Sequence, residues 1–258
     1  MNQRLYLLWQ LGRRDIASRY KGSSFGLLWT ILSPLLLLIV YTFVFSVVFQ
    51  ARWGQVNDSK TFFALNLFAG MILHGFLAEC ISRSTNVLQA HTNYVKRIVF
   101  PLRLLPATLI FSALFHAGIS TLVLIAAHAV LNGTLHWQVV GLPLLVLPLV
   151  LFTLGLCWGL AALGVFIRDL GQLMPMLTTV LLFTAPVFYP VSALPERFQH
   201  WMLLNPLTTP IEMTRDLLFA QQWPQALTYG HSLLVAVAAL LVGSFLFNRL
   251  RPGFSDAL

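Results

Sequence analysis

The sequence predicts an all-α integral membrane protein with six transmembrane helices, an N-terminal amphipathic interface helix and short re-entrant helices between the fifth and sixth spans. Of the 258 residues, 58% are hydrophobic and only 9% are charged, which is more apolar surface than one water-soluble core can bury. Formal charges are absent from five intervals: 22–51, 61–78, 104–167, 170–195 and 217–248. A spanning helix needs about 20 mainly apolar residues, so four intervals hold one helix each and 104–167 holds two.

The pattern inside these intervals favours helices over strands. A strand of a membrane barrel alternates in hydrophobicity over about ten residues, whereas PLLLLIVYTFVFSVVF at 34–49 is apolar without alternation. With a turn near LNGTLHWQ at 131–138, the predicted spans are 25–49, 61–83, 104–130, 141–167, 172–189 and 227–248. The first apolar run is about twice as long as the core of a signal peptide, so we expect the N-terminal segment to be retained.

The basic residues fall on one side of the predicted membrane. With the N-terminus in the cytoplasm, twelve Lys and Arg residues lie inside and four lie outside. The inner residues are Arg4, Arg13, Arg14, Arg19, Lys21, Arg83, Lys96, Arg97, Arg103, Arg168, Arg249 and Arg251, and the outer ones are Arg52, Lys60, Arg197 and Arg215. The positive-inside rule therefore predicts that both termini are cytoplasmic.

An interface helix is predicted over residues 2–22, a segment too polar to span the membrane. On a helical projection, one face is apolar and carries Leu5, Leu8, Trp9, Ile16 and Tyr20. The opposite face is polar and carries Gln3, Gln10, Arg14, Ser18 and Lys21. Such a helix lies in the plane of the inner leaflet. Leu7 and Leu11 interrupt the polar face, which indicates that this face also contacts protein.

Two connections carry further structure. Residues 84–103 form a basic inner segment with a break at Phe100 and Pro101. Residues 190–226 form the longest outer segment, where Asn205-Pro206 and Pro210 separate two short predicted helices that dip back toward the membrane. This outer segment is either a lid or an ordinary loop cap. Its charges have mixed signs, which suits a water-exposed lid. The charged residues are Glu196, Arg197, Glu212, Arg215 and Asp216.

Several kinds of chemistry are missing from the chain. None of the three lysines follows a glycine, so the chain has no phosphate-binding loop of the P-loop type and cannot bind ATP by that route. Ion-coupled transport places ionisable residues within spans, and only Glu79 qualifies here. We interpret His74, His116 and His128 as residues satisfied by neighbouring helices. Cys80 and Cys157 lie on different predicted helices and are expected to be buried thiols rather than a disulfide or metal pair. No catalytic constellation supports an enzymatic function.

Three segments resemble one transporter family in their order and spacing. They are RDIASRYKGSSFGLLWTILSPLLLLIVYTFVFSVVF at 14–49, YVKRIVFPLRLLP at 94–106 and RDLGQLMPMLTTVLLFTAPVFYPVSALPERFQHWMLLNPLTTPIEMTRDLLF at 168–219. They resemble the membrane subunit of ABC-2 type polysaccharide exporters, with the O-antigen export permeases as the nearest branch and the capsule and teichoic acid permeases as relatives. The resemblance covers essentially the whole chain as a single domain, 1–258.

The resemblance implies a homodimer in the bacterial inner membrane, paired with two copies of a separate P-loop ATPase. The dimer would export a polyprenyl-pyrophosphate-linked glycan from the cytoplasm to the periplasm, with ATP and Mg bound by the partner, no cofactor in this chain and no nucleic acid. It also implies that residues 2–22 and 84–103 dock on the ATPase and that 190–226 forms a periplasmic gate. The coupling residues would be Tyr94, Lys96, Arg97 and Phe100, and the gate residues Pro195, Phe198, Trp201, Asn205, Pro206 and Arg215.

Two residue sets have alternative interpretations. Arg13, Arg14, Arg19 and Lys21 either enforce topology and contact anionic lipid, at about 1 kcal/mol each, or also bind the lipid pyrophosphate or the ATPase. The aromatic residues Tyr41, Phe45, Phe49, Phe183, Phe188 and Tyr189 either line a channel for sugar rings or face lipid and pack. Tyr41, Phe45 and Phe49 belong to an i, i+4 stripe on the first span that begins with Ser33 and Leu37.

Three other functions compete with glycan export. A drug or small-lipid exporter of the same fold would have a narrower conduit. A membrane glycosyltransferase or ligase would need clustered catalytic groups in the outer loops. A passive assembly subunit would leave the turnover of a partner ATPase unchanged.

Overall fold

The computed structural model describes residues 3–48, 60–96, 100–133, 136–202 and 204–257, and the regular secondary structure of these residues is helical, with no strand among them. The helices are α1 Gln3–Tyr20, α2 Trp29–Tyr41, α3 Lys60–Ser84, α4 Thr92–Val95, α5 Leu104–Asn132, α6 Leu142–Phe166, α7 Leu170–Thr184, α8 Glu196–Met202, α9 Thr208–Arg215, α10 Ala226–Leu250 and α11 Phe254–Ala257. π-Helical turns continue α2 over Thr42–Val48 and α9 over Asp216–Ala220. The predicted all-α class is confirmed for the described residues.

Within the described part of the chain, five helical segments are long and apolar enough to cross a membrane. They are Gly26–Phe45, Phe62–Ser84, Leu104–Leu131, Trp137–Phe166 and Ala226–Ala257, and they coincide with five of the six predicted spans. The remaining predicted span, 172–189, coincides with α7, which has 15 residues and is about 22 Å long. That is shorter than the hydrocarbon core of about 30 Å. The count of six spans therefore stays a prediction.

The third helix is the centre of the bundle. Buried residues make up 78% of the apolar window of α3, against 11% for the first span and 17% for the last. Three apolar clusters are stacked along the bundle. The central one includes Phe76, Leu77 and Leu149, and the clusters at the two ends are centred on Leu65 with Leu145 and on Leu105 with Phe247. The outer helices α2, α7 and α10 keep exposed apolar faces, as expected of surfaces that contact lipid or another membrane subunit.

Small residues bring α6 and α10 into backbone contact. A Cβ added at Gly243 would overlap the carbonyl group of Gly155, and one added at Gly155 would overlap Ala239. The spacing of Gly155 and Gly159 is the four-residue pattern by which membrane helices pack closely. Without a water-driven hydrophobic effect between spans, such van der Waals packing holds the two helices together.

The start of α5 is fixed by polar contacts to the same pair of helices. Arg103 Nη2 donates hydrogen bonds to the carbonyl oxygen and the hydroxyl of Ser244 on α10, at 3.0 and 2.7 Å. The guanidinium group also lies over the Trp158 ring of α6, 5.1 Å from its centroid. Trp158 Nε1 donates to the Arg103 carbonyl oxygen at 3.2 Å. Arg103 thus joins three helices.

The bundle has two chemically different ends. The basic end carries α1, α4, α11 and the C-termini of α3, α6 and α10, and the far end carries α8 and α9. Of the twelve basic residues predicted to lie inside, all but Arg97 are described, and they lie at the basic end. Arg97 lies outside the described residues.

The buried histidines and cysteines follow the sequence-based interpretation. His74 Nε2 donates a hydrogen bond to the Thr178 carbonyl oxygen of α7 at 2.9 Å. His116 Nδ1 lies 3.3 Å from the Tyr20 hydroxyl. Cys80 and Cys157 are free and fully buried. His74 and His116 thus contact neighbouring helices, as interpreted, and both thiols are buried, as expected.

Candidate functional site

The interface helix is seated on α5 at a glycine. Gly12 is the buried residue of α1, and a Cβ added there would overlap the ring of Phe111. Trp9 packs edge-on against the same ring, with centroids 5.6 Å apart. Part of the predicted apolar face stays open, since Leu5 and Trp9 are 59% and 49% exposed. The amphipathic helix predicted at 2–22 is therefore present over Gln3–Tyr20, with one face on protein and another open.

Four charged residues join α1 to the end of α3. Arg83 Nη2 donates to Asp15 Oδ1 at 2.6 Å, and Arg83 Nη1 donates to Glu79 Oε1 at 3.2 Å. Arg19 donates to the same Glu79 oxygen. Asp15 and Arg19 are four residues apart on α1, as are Glu79 and Arg83 on α3, so the pairing order shows that the two helices run in opposite directions here. We call these four residues the charge network.

Partial burial sets the acidity of the network residues on α1. The four side chains are between 22% and 33% exposed. Burial raises the pKa of Asp15, but the hydrogen bond and charge of Arg83 outweigh this effect and hold the pKa below its usual value. Burial lowers the pKa of Arg19, and the nearby Arg83 charge lowers it further. The ionised form of Asp15 is thus stabilised by its partner on α3.

A groove of about 520 Å³ opens at the basic end between α1, α3, α5 and the segment that contains α4. Its lining includes Arg14, Asp15, Arg83, Asn86 and Tyr94. We call it the basic-end groove. It combines charged groups with apolar side chains from α5, which is the mixture found where protein segments dock.

The predicted coupling residues border this groove in part. Tyr94 lines it and packs against Phe100, with ring centroids 4.6 Å apart. Both rings also rest on the apolar cluster at this end of the bundle. Lys96 is exposed at the end of the same segment, and Arg97 lies outside the described residues. The structure therefore brings Tyr94 and Phe100 together, and it adds α1 to the same surface.

A second cavity, of about 380 Å³, lies deeper in the bundle between α2, α3 and α5. We call it the α2 cavity. Ser33, Leu37 and Tyr41 of the predicted stripe line it, while Arg19 and Glu79 form its charged end. The stripe does not continue unchanged, because the π-helical turn over Thr42–Val48 is wider than an α-turn and rotates the following residues.

The predicted channel aromatics beyond this turn form a separate cluster. Phe45 lies 6.3 Å from Phe188, and Phe188 stacks on Phe183 at 5.6 Å, measured between ring centroids. The Tyr189 hydroxyl donates to the Phe183 carbonyl oxygen at 2.9 Å. Phe183 remains 62% exposed. Phe49 lies outside the described residues. Whether this cluster lines a channel stays a prediction.

The four predicted headgroup residues are divided between two surfaces. Arg13, Arg14 and Lys21 line an open groove of about 940 Å³ on the outer side of α1, together with aromatic residues that include Trp9 and Phe115. We call it the outer groove. Arg19 instead belongs to the charge network. Three cations beside aromatic rings suit a ligand with an anionic head and an apolar tail.

The far-end segment contains the two short helices α8 and α9, and they differ in burial. On α8, Phe198 and Trp201 are 45% and 69% exposed, and Pro195 before the helix is also exposed. Asn205, at the break before Pro206, is buried. Its amide donates to the Thr184 hydroxyl at 2.9 Å, and its oxygen accepts from the Leu207 backbone N–H at 3.0 Å. Asn205 thereby ties the segment to the end of α7.

Arg215 is buried, contrary to the water-exposed position expected from the charge pattern. Only 5% of it is exposed, and burial lowers its pKa to about 10. Its guanidinium group donates to the carbonyl oxygens of Asn66, Pro186 and Val187, and to Glu212 at 3.2 Å. Because several N–H groups of the guanidinium have hydrogen-bond acceptors, these bonds offset the free-energy cost of burying its charge. Arg215 thus links α9 to α3 and to the bend after α7.

Sequence reasoning missed Asp15, Arg83 and Asn66 as partners. The i, i+4 spacing of opposite charges in Asp15/Arg19 and Glu79/Arg83 was a usable signal, because such pairs share one helix face. Asn66 carried no such signal, since it contributes a backbone carbonyl oxygen. The need for space beside Arg215 is visible at Gly70, where an added Cβ would lie 2.9 Å from Arg215 Nη2.

A bundle of apolar membrane-length helices with basic residues gathered at one end is typical of a multi-pass membrane protein. The profile of the ABC-2 type transporter family matches residues 6–219, and the chain belongs to that family. It is 27% identical to the O-antigen export system permease protein RfbA of Myxococcus xanthus over 98% of this chain and 95% of the relative. It is 28% identical to RfbA of Klebsiella pneumoniae, again over 98% and 95%. It is 20% identical to the polysialic acid transport protein KpsM of Escherichia coli over 91% of this chain and 90% of that one.

Proposed function

We propose that the chain is the permease subunit of an O-antigen exporter, which moves a polyprenyl-pyrophosphate-linked polysaccharide from the cytoplasm to the periplasm across a bacterial inner membrane. The observation that carries the proposal is the similarity to O-antigen export permeases over 98% of the chain. The concentration of basic residues at one end supports a cytoplasmic basic end and, with it, cytoplasmic termini.

Energy comes from a separate subunit. Permeases of the ABC-2 family pair with an ABC ATPase, and we propose that two copies bind ATP and Mg and dock on a homodimer of this chain. The docking site is the basic-end groove, with Tyr94 and Phe100 on its rim and Lys96 and Arg97 beside it. The mixture of charged and apolar lining supports a protein segment as the occupant.

The substrate's head and tail have different binding requirements. Arg13, Arg14 and Lys21 in the outer groove would hold the pyrophosphate by charge, while Trp9 and Phe115 contact the first part of the prenyl tail. Lys and Arg side chains reach lipid phosphates readily from an interface helix. Arg19 does not line the outer groove and is not part of this binding site.

The sugar chain passes a wall without strong binding sites. Phe45, Phe183, Phe188 and Tyr189 form a connected set of rings at the end of α2 and α7, and exposed Phe183 would face the conduit between two protomers. Aromatic faces offer broad contact with sugar rings. A conduit must also release its cargo, so few fixed polar contacts are an advantage.

The far-end segment acts as the periplasmic gate. Exposed α8 with Phe198 and Trp201 would cover the exit, and α9 anchors it through Arg215. The Asn205-Pro206 break between the helices separates the mobile cover from its buried anchor. Opening then moves α8 while α9 stays on α3.

Gene deletion and localisation of the polymer test the function. Without the chain, lipid-linked O-antigen should accumulate on the cytoplasmic face, and re-expression should restore its appearance in the periplasm. The control is a strain that lacks the gene for the ATPase, which should show the same accumulation. Normal periplasmic polymer in the deletion strain would contradict the proposal. Accumulation of a capsular polymer instead would favour the function named for the KpsM relatives.

A further inference from the structure

The charge network lies between the two cavities of the basic end and contributes to both. Asp15 and Arg83 line the basic-end groove, and Arg19 and Glu79 line the α2 cavity. Arg83 bonds to both acids, so the two cavities are connected by one continuous set of ion pairs. The network thus extends from the proposed docking groove to the cavity beside the first span.

The network also joins directly two helices, α1 and α3, that otherwise pack together through α5. The apolar packing of α1 is against α5, through Gly12 and Trp9 on Phe111. The Asp15–Arg83 and Arg19–Glu79 pairs join α1 to α3 directly. Because α3 is the central helix and forms one wall of the α2 cavity, a shift of α1 reaches that wall through these side chains.

The pairs in the network are not equivalent. Glu79 Oε1 accepts from both Arg19 and Arg83, whereas Asp15 is bonded to Arg83. If α1 moves so that Arg19 leaves, Glu79 keeps a cationic partner and no acid is left unpaired. Loss of Arg83 would instead leave two partly buried acids without their shared partner, which is costly. The released Arg19 has a long side chain that can reach water or lipid phosphates.

We infer that the charge network transmits the docking of an ATPase in the basic-end groove to the wall of the α2 cavity. Arg83 keeps its bonds to both acids during this change, and the Arg19–Glu79 pair, which we call the latch, opens and closes. The inference rests on the proposed function, since it takes the ATPase as the occupant of the groove. The residues are positioning residues that act through α1. A coupling element needs two discrete arrangements, and the latch supplies them as paired and unpaired Arg19.

The test uses the full-length chain with its ATPase partner, and Arg19→Gln and Glu79→Gln as latch variants. Arg249→Gln is the matched control, because it removes the same charge from an exposed position at the same end of the bundle, on α10. Three quantities are measured: the ATPase recovered with the tagged chain, ATP hydrolysis, and polymer exported per ATP hydrolysed. The latch variants should bind the ATPase and hydrolyse ATP as the unmodified chain does, while export per ATP falls about tenfold or more. Arg249→Gln should export normally.

A charge exchange makes the test independent of simple folding defects. Arg19→Glu alone should abolish coupling, and Arg19→Glu combined with Glu79→Arg should recover it, because the opposite charges face each other again. Normal export per ATP in both single Gln variants, or an exchanged pair no better than Arg19→Glu alone, would overturn the inference while leaving the proposed function intact. If no ATPase co-purifies with the unmodified tagged chain and this chain exports no polymer, the proposed function is wrong. The inference then fails with it.

Discussion

Arg215 on α9 donates two hydrogen bonds to the carbonyl oxygen of Asn66 on α3, from Nε at 3.0 Å and from Nη2 at 2.8 Å. The two residues are 149 positions apart in the chain, and the contact fixes the far-end segment to the central helix. The same guanidinium group also bonds to the bend after α7. One side chain therefore holds three segments in register.

Replacing Arg215 with Lys should destabilise the protein although the charge is kept. A lysine has three donors on a flexible stem and cannot reproduce the planar fork, so buried carbonyl oxygens lose their partners. We expect the free energy of unfolding to fall by about 2 kcal/mol or more, measured by denaturant titration in detergent micelles. Arg197→Lys on exposed α8 is the control and should change it by less than about 0.5 kcal/mol. Equal effects at the two positions would refute the role of the buried fork.

Two glycines of α10 should respond oppositely to alanine. At Gly243 the added methyl would overlap the carbonyl of Gly155, and backbone cannot move aside as a side chain can. Gly243→Ala should therefore lower the free energy of unfolding by about 1–3 kcal/mol. Nothing lies within 4 Å of a Cβ at Gly230 in the same helix, so Gly230→Ala should be neutral or stabilising by up to about 1 kcal/mol. The same detergent titration measures both, and a stable Gly243→Ala protein would argue against the close crossing.

The contact between Asp15 and Arg83 should make stability depend on pH in the acid range. Because the pKa of Asp15 is below its ordinary value of 3.8 in the folded protein, its contribution is present above that value and is lost as the pH falls through the folded pKa. We expect the difference in unfolding free energy between the unmodified chain and Asp15→Asn to be constant near neutrality and to shrink in acid. A difference that grows on acidification would contradict the sign of this shift.

Tyr94 should couple ATP hydrolysis to export through its ring. Tyr94→Ala removes the contact with Phe100 and one side of the basic-end groove. Export per ATP hydrolysed should fall about tenfold, while the chain remains folded by size-exclusion chromatography. Tyr94→Phe keeps the ring and should retain export. If both variants lose export equally, the hydroxyl and not the ring contact is the important group.

Hydropathy predicted most of the membrane helices because each crossing requires a long apolar segment. It placed the end of the fifth span at residue 189, whereas α7 ends at Thr184. The reason is local: Ala185 precedes Pro186 and adopts an extended conformation, with ψ at 154°, as residues before proline prefer. Ser33, Leu37 and Tyr41 of the predicted stripe line one cavity, and the π-helical turn after Tyr41 then changes the helical period that the stripe assumed.

The candidate site was less accessible to sequence reasoning than the fold. The interface helix was predicted from its amphipathic pattern, because a helix face is a local property of the sequence. The burial of Arg215 was not predicted, because a charge count cannot show that distant carbonyl oxygens will surround a guanidinium group. The charge network falls between these cases, because its spacing on each helix is local but the pairing of α1 with α3 is not.

The helix α7 ends at Thr184 and does not extend over the whole of the predicted fifth span. Beyond Thr184 the chain continues through the buried bend at Ala185 and Val187, which packs with Leu207 and Ile211. A continuous helix resists bending because backbone hydrogen bonds must break, whereas a joint of packed side chains can shift by exchanging contacts. The bend can therefore move without breaking a backbone hydrogen bond inside α7, provided that Arg215 releases the carbonyl oxygens of Pro186 and Val187.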